Sequence, residues 1–387
     1  MKRLTKIDIG QILLTLLMFS VIVDPTNTLF GIKEISFVLV LLSVIFHKFI
    51  VYKDAFVIIG VSFVFLIISS INGHFNGYEF DNITEIGFYK SFLFLFILLL
   101  VKNSHYDFIK ASFPSVILIS IVSICVYVVS IISSILFSYL YEFAYSHDSF
   151  IIIGQRIFYG KNILSVFYKT SPILVIFLSY SYCFFWKTYK LKYLLSSLLF
   201  FIALIMSGTR ANILSALLII IGIPIWVKIK NKVFIVSCAI FCVIFSALVL
   251  FSDKKEESLQ LKNEQLVNSI EHIKSNKDII FLGQGCGSCF YAAKTRPKCS
   301  ITELSYIELL RMFGLLGALF IIFVFIFPLI LMFRRKPLNY IPFAIGYIAY
   351  LFIGGTNPLL IGSSGFSVLA IAYSFSFGNS KLELKKV

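Results

Sequence analysis

The feature that most constrains this chain is a succession of apolar runs, nearly free of charge and separated by short basic turns. The runs fall at about 8–23, 34–51, 54–71, 86–101, 112–138, 170–186, 191–207, 210–227, 233–251, 303–333, 339–354 and 358–377. Runs of this length and purity match the roughly 20 residues a helix needs to cross a bilayer. Backbone amides have no water to bond in lipid, so each run is expected to be a helix. Composition agrees: 59% of the 387 residues are hydrophobic, 14% are charged, and the mean hydropathy is +0.95. Too few charges exist to build a water-facing surface, which excludes an ordinary soluble domain. The expected fold is an all-α polytopic membrane protein of about twelve spans. Residues 1–251 hold helices one to nine with a smaller outer loop near 139–169. Residues 252–302 form one large outer loop, and 303–387 hold the last three helices.

The net charge of +15 raises the question of nucleic acid, and the placement of the charges answers it. Every second connection is basic: Lys2/Arg3/Lys6, Lys48/Lys53, Lys102/Lys110, Lys187/Lys190/Lys192, Lys228/Lys230/Lys232, Arg334/Arg335/Lys336 and Lys381/Lys385/Lys386. The connection 72–85 has no Lys or Arg, and 354–365 has no charge at all. This is the signature of topology rather than of a polynucleotide surface, and it predicts both termini and the basic turns in the cytoplasm. The first apolar run ends in Asp24-Pro25 without a small-x-small cleavage site, so it reads as a retained first helix. Cys125, Cys183, Cys238 and Cys242 lie in apolar runs and read as inert core residues.

Within this frame, Ser207-Gly208-Thr209-Arg210 is the unusual stretch. A guanidinium cannot neutralise itself by losing a proton. At bilayer depth it usually faces a cavity, a partner or an ionic ligand. Two readings stand open: a plain turn with Arg210 reaching to the interface, or an anion receptor at a helix start, where free N–H groups and the dipole add to the charge. The predicted topology puts Arg210 on the outer side together with Arg156 and Lys161 of the 139–169 loop. Positive charge there runs against the topological preference and points to an anionic ligand.

The large outer loop has two parts. Residues 255–275 read as an amphipathic helix with Leu259, Leu266, Ile270 and Ile273 on one face, placed on the membrane, over a cavity, or packed on the protein itself. Then comes Gly283-Gln-Gly285-Cys-Gly287, whose alternate glycines permit a close backbone approach. It lacks the strand-then-helix setting of a nucleotide loop. Cys286, Cys289 and Cys299 share this loop, and two of them are expected to form a disulfide on an oxidising side of the membrane, with Cys289–Cys299 and Cys286–Cys299 both open. Beyond it, Thr302 is a plausible helix cap. Glu303 and Tyr306 share one helical stripe, and Glu308 and Arg311 are spaced to pair. Acids and an arginine in the first turns of a membrane helix imply either a polar cavity or a closed ion pair. No D-x-D or histidine cluster suggests a metal, and no cofactor is expected.

Taken in order, Ser207-Gly-Thr-Arg210, Gly283-Gln-Gly285-Cys-Gly287, Glu303-Leu-Ser-Tyr306 and Phe313-Gly-Leu-Leu-Gly317 resemble the O-antigen polymerase and ligase superfamily of bacterial envelopes. The resemblance covers mainly residues 190–335 and the overall topology. It implies a GT-C-like fold in the inner membrane and a lipid-embedded substrate, an oligosaccharide linked through pyrophosphate to undecaprenol. It also implies glycan transfer without a metal, with a chain-length regulator and a flippase as partners. On this reading Arg210 meets the leaving pyrophosphate and Glu303 is the base. Arg156, Lys161, Gly285, Gly287, Tyr306 and Arg311 contact substrate, while Glu308 and the Cys289–Cys299 pair are structural. Ligases of this pattern carry a histidine near the start of the helix after the big loop. This chain reads Thr302-Glu303-Leu304 there, which favours a polymerase. The rivals are a ligase, a flippase or transporter built on helices broken near 172, 224, 328 and 358, and a structural subunit of an envelope machine.

Overall fold

The computed structural model describes residues 8–46, 50, 52–76, 82–146, 150–158, 161–229, 263–271, 278–288, 304–335 and 337–378. It is mostly helical with one small sheet. The helices are α1 (Ile9–Val23), α2 (Lys33–Leu42), α3 (Lys53–Phe75), α4 (Asn82–Leu93), α5 (Phe108–Ile132), α6 (Ser134–Ser146), α7 (Leu174–Thr188), α8 (Leu191–Met206) and α9 (Arg210–Ile229). There follow α10 (263–271), α11 (Asp278–Leu282), α12 (Ser305–Arg335), α13 (Pro337–Gly355) and α14 (Ser363–Ser376). Among the described residues, three segments are long and apolar enough to cross a membrane: Lys53–Phe75, Phe108–Ile132 and Ser305–Arg334. Large apolar side chains on their outsides, among them Phe56, Val57, Ile71, Ile131, Ile132 and Leu316, are exposed, as a lipid-facing surface requires.

The core gathers around α7 and α14. Every residue from Leu174 to Ser181 and from Gly365 to Ser376 is buried, the pattern of helices enclosed on all sides. Close crossing needs small residues. A Cβ on Gly346 of α13 would lie 2.8 Å from Ser179 Cβ of α7, and Ser179 donates to the carbonyl of Pro342. Serines serve the same end on α5. Ser112, Ser120 and Ser123 are buried and donate to the carbonyls four residues back, at 2.7, 2.8 and 2.7 Å. Each therefore satisfies its own hydroxyl while letting a neighbouring helix approach.

Reciprocal amide bonds staple the ends. Gln11 Nε2 donates to the Asp107 carbonyl at 3.1 Å and Asp107 N–H donates to Gln11 Oε1 at 2.8 Å. Asn103 and Ile50 exchange bonds in the same way, at 2.8 and 3.1 Å. After α1 the chain turns on Asp24, which is fully buried. Its carboxylate accepts from the N–H groups of Thr28, Leu29 and Phe30 at 3.0, 3.0 and 2.8 Å.

Several expectations are corrected. The run 112–138 is not one helix: Ser133 is extended (φ −135, ψ 115) and its hydroxyl accepts from Leu136 N–H at 3.3 Å, starting α6 afresh. The stretch 139–169 is not simply a loop. It completes α6 and then forms a hairpin, β1 (Ile151–Phe158) paired antiparallel with β2 (Lys161–Tyr168). The run 34–51 is a ten-residue helix followed by a 3-10 turn at Ser43–Phe46, and the run near 86–101 ends in a 3-10 segment at Phe94–Leu100. Pro224 lies inside α9 and Pro328 inside the part of α12 that follows Gly314; α12 breaks at Gly314 (φ 68, ψ −175) and not at the proline. Of the amphipathic stretch, 263–271 is helical, and its buried positions are Gln265 and Ser269, whereas Ile270 is exposed. Cys125 is exposed rather than a core residue. The run 233–251 lies outside the described residues.

The Asp24 turn yields a stability prediction. Replacing it by alanine strips three N–H groups of a charged acceptor; Thr28 and Phe30 are exposed, so water takes over part of the lost bonding and the net loss is about 1–3 kcal/mol in all. Asp24→Ala is expected to lower stability by about 1–3 kcal/mol, and Asp24→Asn by less, because one acceptor oxygen remains. Denaturant unfolding of the purified protein in detergent checks the order; equal loss in both variants would contradict it.

Candidate functional site

Two polar clusters stand out at helix ends. The first surrounds the start of α9. Gly208 takes a left-handed conformation (φ 60) between α8 and α9, and a Cβ there would meet the side chain of Ser165 on β2 and lie 3.6 Å from Arg156 Cδ on β1. The hairpin is thus seated on the turn, and it brings Arg156 beside the start of the helix that carries Arg210. Arg156 also lies over the Phe167 ring, 5.7 Å from its centre. Both arginines are half-buried.

Beneath them is a hydroxyl and amide network that the sequence reading did not single out. Asn212 is fully buried. Its Nδ2 donates to Ser207 Oγ at 3.0 Å, to Thr209 Oγ1 at 3.2 Å and to Ser171 Oγ at 3.2 Å. Ser207 Oγ donates in turn to the Leu204 carbonyl at 2.6 Å. This network fixes the turn so that α9 begins at Arg210 and not a residue later. A helix start of this kind presents N–H groups and a positive dipole end to the same space as a guanidinium. Chemically, it is suited to hold an anion. Asn212 was legible in principle, as a second polar residue in an apolar run two positions after Arg210. Ser171 carried no signal, because its partner is distant in sequence.

The second cluster is built on the break in α12. At Gly314 the helix loses its regular bonds, and the freed carbonyls are taken up by other elements. Gln284 N–H donates to the Arg311 carbonyl at 2.6 Å, and Ser69 Oγ of α3 donates to the Met312 carbonyl at 2.6 Å. The loop Gly283–Ser288 wedges between α3 and α12. Asn72 and Asn76 donate to the carbonyls of Gly283 and Gln284 at 2.6 and 3.2 Å, and Cys286 N–H donates to the Ser69 carbonyl at 3.0 Å. Gly283, Gly285 and Gly287 all have positive φ. A Cβ on Gly285 would collide with the backbone of Gly73 and Ser69. The close approach that the alternating glycines permit is therefore made to the protein's own helix.

Arg311 locks this loop from below. Its Nε and Nη2 bond Glu308 Oε2 and Oε1 at 3.0 and 2.6 Å, and its Nη1 donates to the Ser288 carbonyl at 2.6 Å and to Ser288 Oγ. The side chains of Arg311 and Glu308 are 3% and 4% exposed, so this is a closed pair and not the lining of an open cavity. Tyr306 stacks over Gly355 and donates to the Leu351 carbonyl at 2.9 Å, and Ser305 Oγ donates to the Asn357 carbonyl at 2.6 Å. These bonds tie the start of α12 to the end of α13. Gly287 is half-buried at the loop's far end. Lys161 opens β2. Glu303, Cys289 and Cys299 lie outside the described residues. Cys286 carries a free thiol, buried and 3.1 Å from Ser69 Oγ, which removes it from the candidate disulfides.

Among the described residues, no group of three or more His, Cys, Asp or Glu is placed to hold a metal ion. The structure thus brings Arg156 to the Arg210 turn, and gathers Gly285, Gly287, Glu308 and Arg311 at the α12 break.

Two outcomes follow. Glu308→Gln leaves the Arg311 charge buried and half-matched, a change that costs about 3–5 kcal/mol. Membrane levels of the folded protein should fall sharply, whereas full levels would show the pair to be dispensable. Burial pushes the Cys286 thiol up to about 11, so at pH 8 it is protonated as well as enclosed. It should resist maleimide in the native protein and react only after unfolding; rapid native labelling of Cys286 would show that the loop is not seated on α3.

No family model matches the chain, and neither a curated protein nor a solved structure matches it.

Proposed function

We propose that this protein is a membrane glycan polymerase of the O-antigen type. It joins oligosaccharide repeat units carried on undecaprenyl pyrophosphate at the outer face of the bacterial inner membrane. The observation that carries the reading is the pair Arg156 and Arg210 at the start of α9, where a hairpin and a helix dipole concentrate positive charge beside apolar helices. A lipid-linked pyrophosphate has the matching chemistry: a dianionic head that must sit at the membrane surface and an apolar tail that must not. The proposal includes about twelve spans in a GT-C-like arrangement, with both termini in the cytoplasm.

In the reaction, a hydroxyl at the non-reducing end of a fresh lipid-linked unit attacks the anomeric carbon of the growing glycan. The bond from that carbon to the pyrophosphate oxygen breaks, and undecaprenyl pyrophosphate leaves with the electron pair. Arg210, helped by Arg156 and Lys161, stabilises the charge that gathers on the leaving oxygen. Glu303 takes the hydroxyl proton. Neither metal nor other cofactor is needed for this balance. A chain-length regulator and a flippase are the expected partners, and the surrounding membrane lipid the expected solvent. Arg311 and Glu308 act by holding the Gly283–Ser288 loop, with Tyr306 anchoring the start of α12.

The test is a gel of surface polysaccharide from cells in which the chromosomal copy is replaced by variants. Arg210→Ala and Arg210→Lys should both lose the polymer ladder and keep single repeat units, since a point charge does not replace a fork. Glu303→Gln should do the same at full protein level. A normal ladder in Arg210→Ala at normal protein level would overturn the reading. Loss of all surface glycan with lipid-linked units trapped inside would indicate a flippase. Lipid-linked polymer that never reaches its final acceptor would indicate a ligase.

A further inference from the structure

A narrow cleft opens where the end of α1, the turn before α7 and the start of α14 meet. It encloses about 10 Å³ and is lined by Lys169, Thr170, Tyr350, Ser364 and Ser367, with Pro172 and other apolar side chains closing the sides. Three independent features of this cleft suit an anionic partner. The first turn of α14 begins at Gly362 with no side-chain cap, so its leading N–H groups lack the usual acceptor. Ser367, one turn further on, is 1% exposed, and its hydroxyl has no hydrogen-bond partner. A buried hydroxyl in that condition is costly unless something supplies an acceptor. Lys169 stands exposed at the mouth and within electrostatic reach of Lys33. Asp24, which like Lys169 lies within electrostatic reach of Lys33, has its carboxylate taken up by three backbone N–H groups.

An unpartnered buried hydroxyl, an uncapped helix start and an ammonium at the rim, set among apolar walls, describe a site for an oxyanion. The enclosed space admits about one oxygen-sized group. A tetrahedral anion would therefore seat one oxygen against Ser367 and the α14 N–H groups, and leave the others at the mouth for Lys169. We propose that this cleft is a phosphate-class binding site, separate from the Arg210 turn. Thr170 and Ser171 link the two. Thr170 Oγ1 donates to the Ile22 carbonyl at 2.6 Å on the cleft side, and Ser171 accepts from Asn212 on the other. The anion is supplied either by a phospholipid headgroup or by free phosphate. The site stands whether or not the chain polymerises glycans.

The experiment uses the full chain carrying Arg156→Ala and Arg210→Ala, so that the α9 start loses both of its arginines. One arm titrates inorganic phosphate into detergent-purified protein and follows the unfolding midpoint. The other reconstitutes the protein in nanodiscs with and without phosphatidylglycerol, and counts retained phospholipid by native mass spectrometry. Binding in the first arm identifies free phosphate, and retention confined to the second identifies a headgroup. In whichever arm responds, Lys169→Gln should weaken binding about tenfold and Ser367→Ala about fivefold, each with the unliganded midpoint unchanged. Ser367→Ala removes a single oxygen, so it keeps the test alive if Lys169→Gln folds poorly. No response in either arm, or a response that both variants leave intact, would overturn the proposal and leave the cleft as a seat for one water.

Discussion

Backbone carbonyls released at Gly314 set the terms for one end of this molecule. A helix broken in an apolar setting exposes groups that lipid cannot satisfy, and the protein must supply donors from elsewhere. Here the donors are Gln284 N–H and the Ser69 hydroxyl. Their arrival requires the Gly283–Ser288 loop to lie against α3 and α12 at backbone contact. That contact explains the left-handed glycines, because a Cβ on Gly285 or Gly314 would enter a neighbouring main chain. The broken helix, the loop and the α3 terminus form one unit in which no part is satisfied alone.

The buried Glu308–Arg311 pair belongs to the same unit. Moving two charges out of water is expensive, and a salt bridge alone rarely recovers the cost. This pair is bidentate and gains further bonds from Ser288, so the guanidinium has acceptors in three directions. Its effect is specificity of position more than raw stability: it decides where the chain leaves Ser288. The segment that follows rejoins the described structure at Leu304, beside Tyr306 and the α13 terminus. Elements separated by as many as 243 residues, such as Ser69 and Met312, are thereby held in register.

The α9 start shows a different economy. Its arginine is half-buried rather than sealed, and the network beneath it is neutral. Asn212 organises Ser207, Thr209 and Ser171 without adding a charge of its own, while the hairpin delivers Arg156 from outside the helical bundle. Positive potential is thus assembled from two elements and a helix dipole. Arg311 is sealed in a bidentate pair, whereas Arg210 and Arg156 are half-buried.

The predominantly helical character of the described residues was legible in the sequence, since purity of the apolar runs is a local property that burial away from water turns into helix, whereas limits such as those of 34–51, 86–101 and 112–138 were not. The pairing of Glu308 with Arg311 was legible for the same reason, being set by helical spacing. The sequence also marked the glycine loop and Arg210 as exceptional, because Gly at alternate positions and a charge in an apolar run are visible without a fold. What the glycines approach, and which side chains bond Arg311 besides Glu308, only the tertiary structure decided. Ser69, Ser171 and Ser288 are ordinary serines by sequence, and their roles come from backbones brought together across long stretches of chain. The split at Ser133 and the hairpin after it were hidden for a related reason. The strands β1 and β2 pair with each other and meet the turn at Gly208, contacts that no local pattern records.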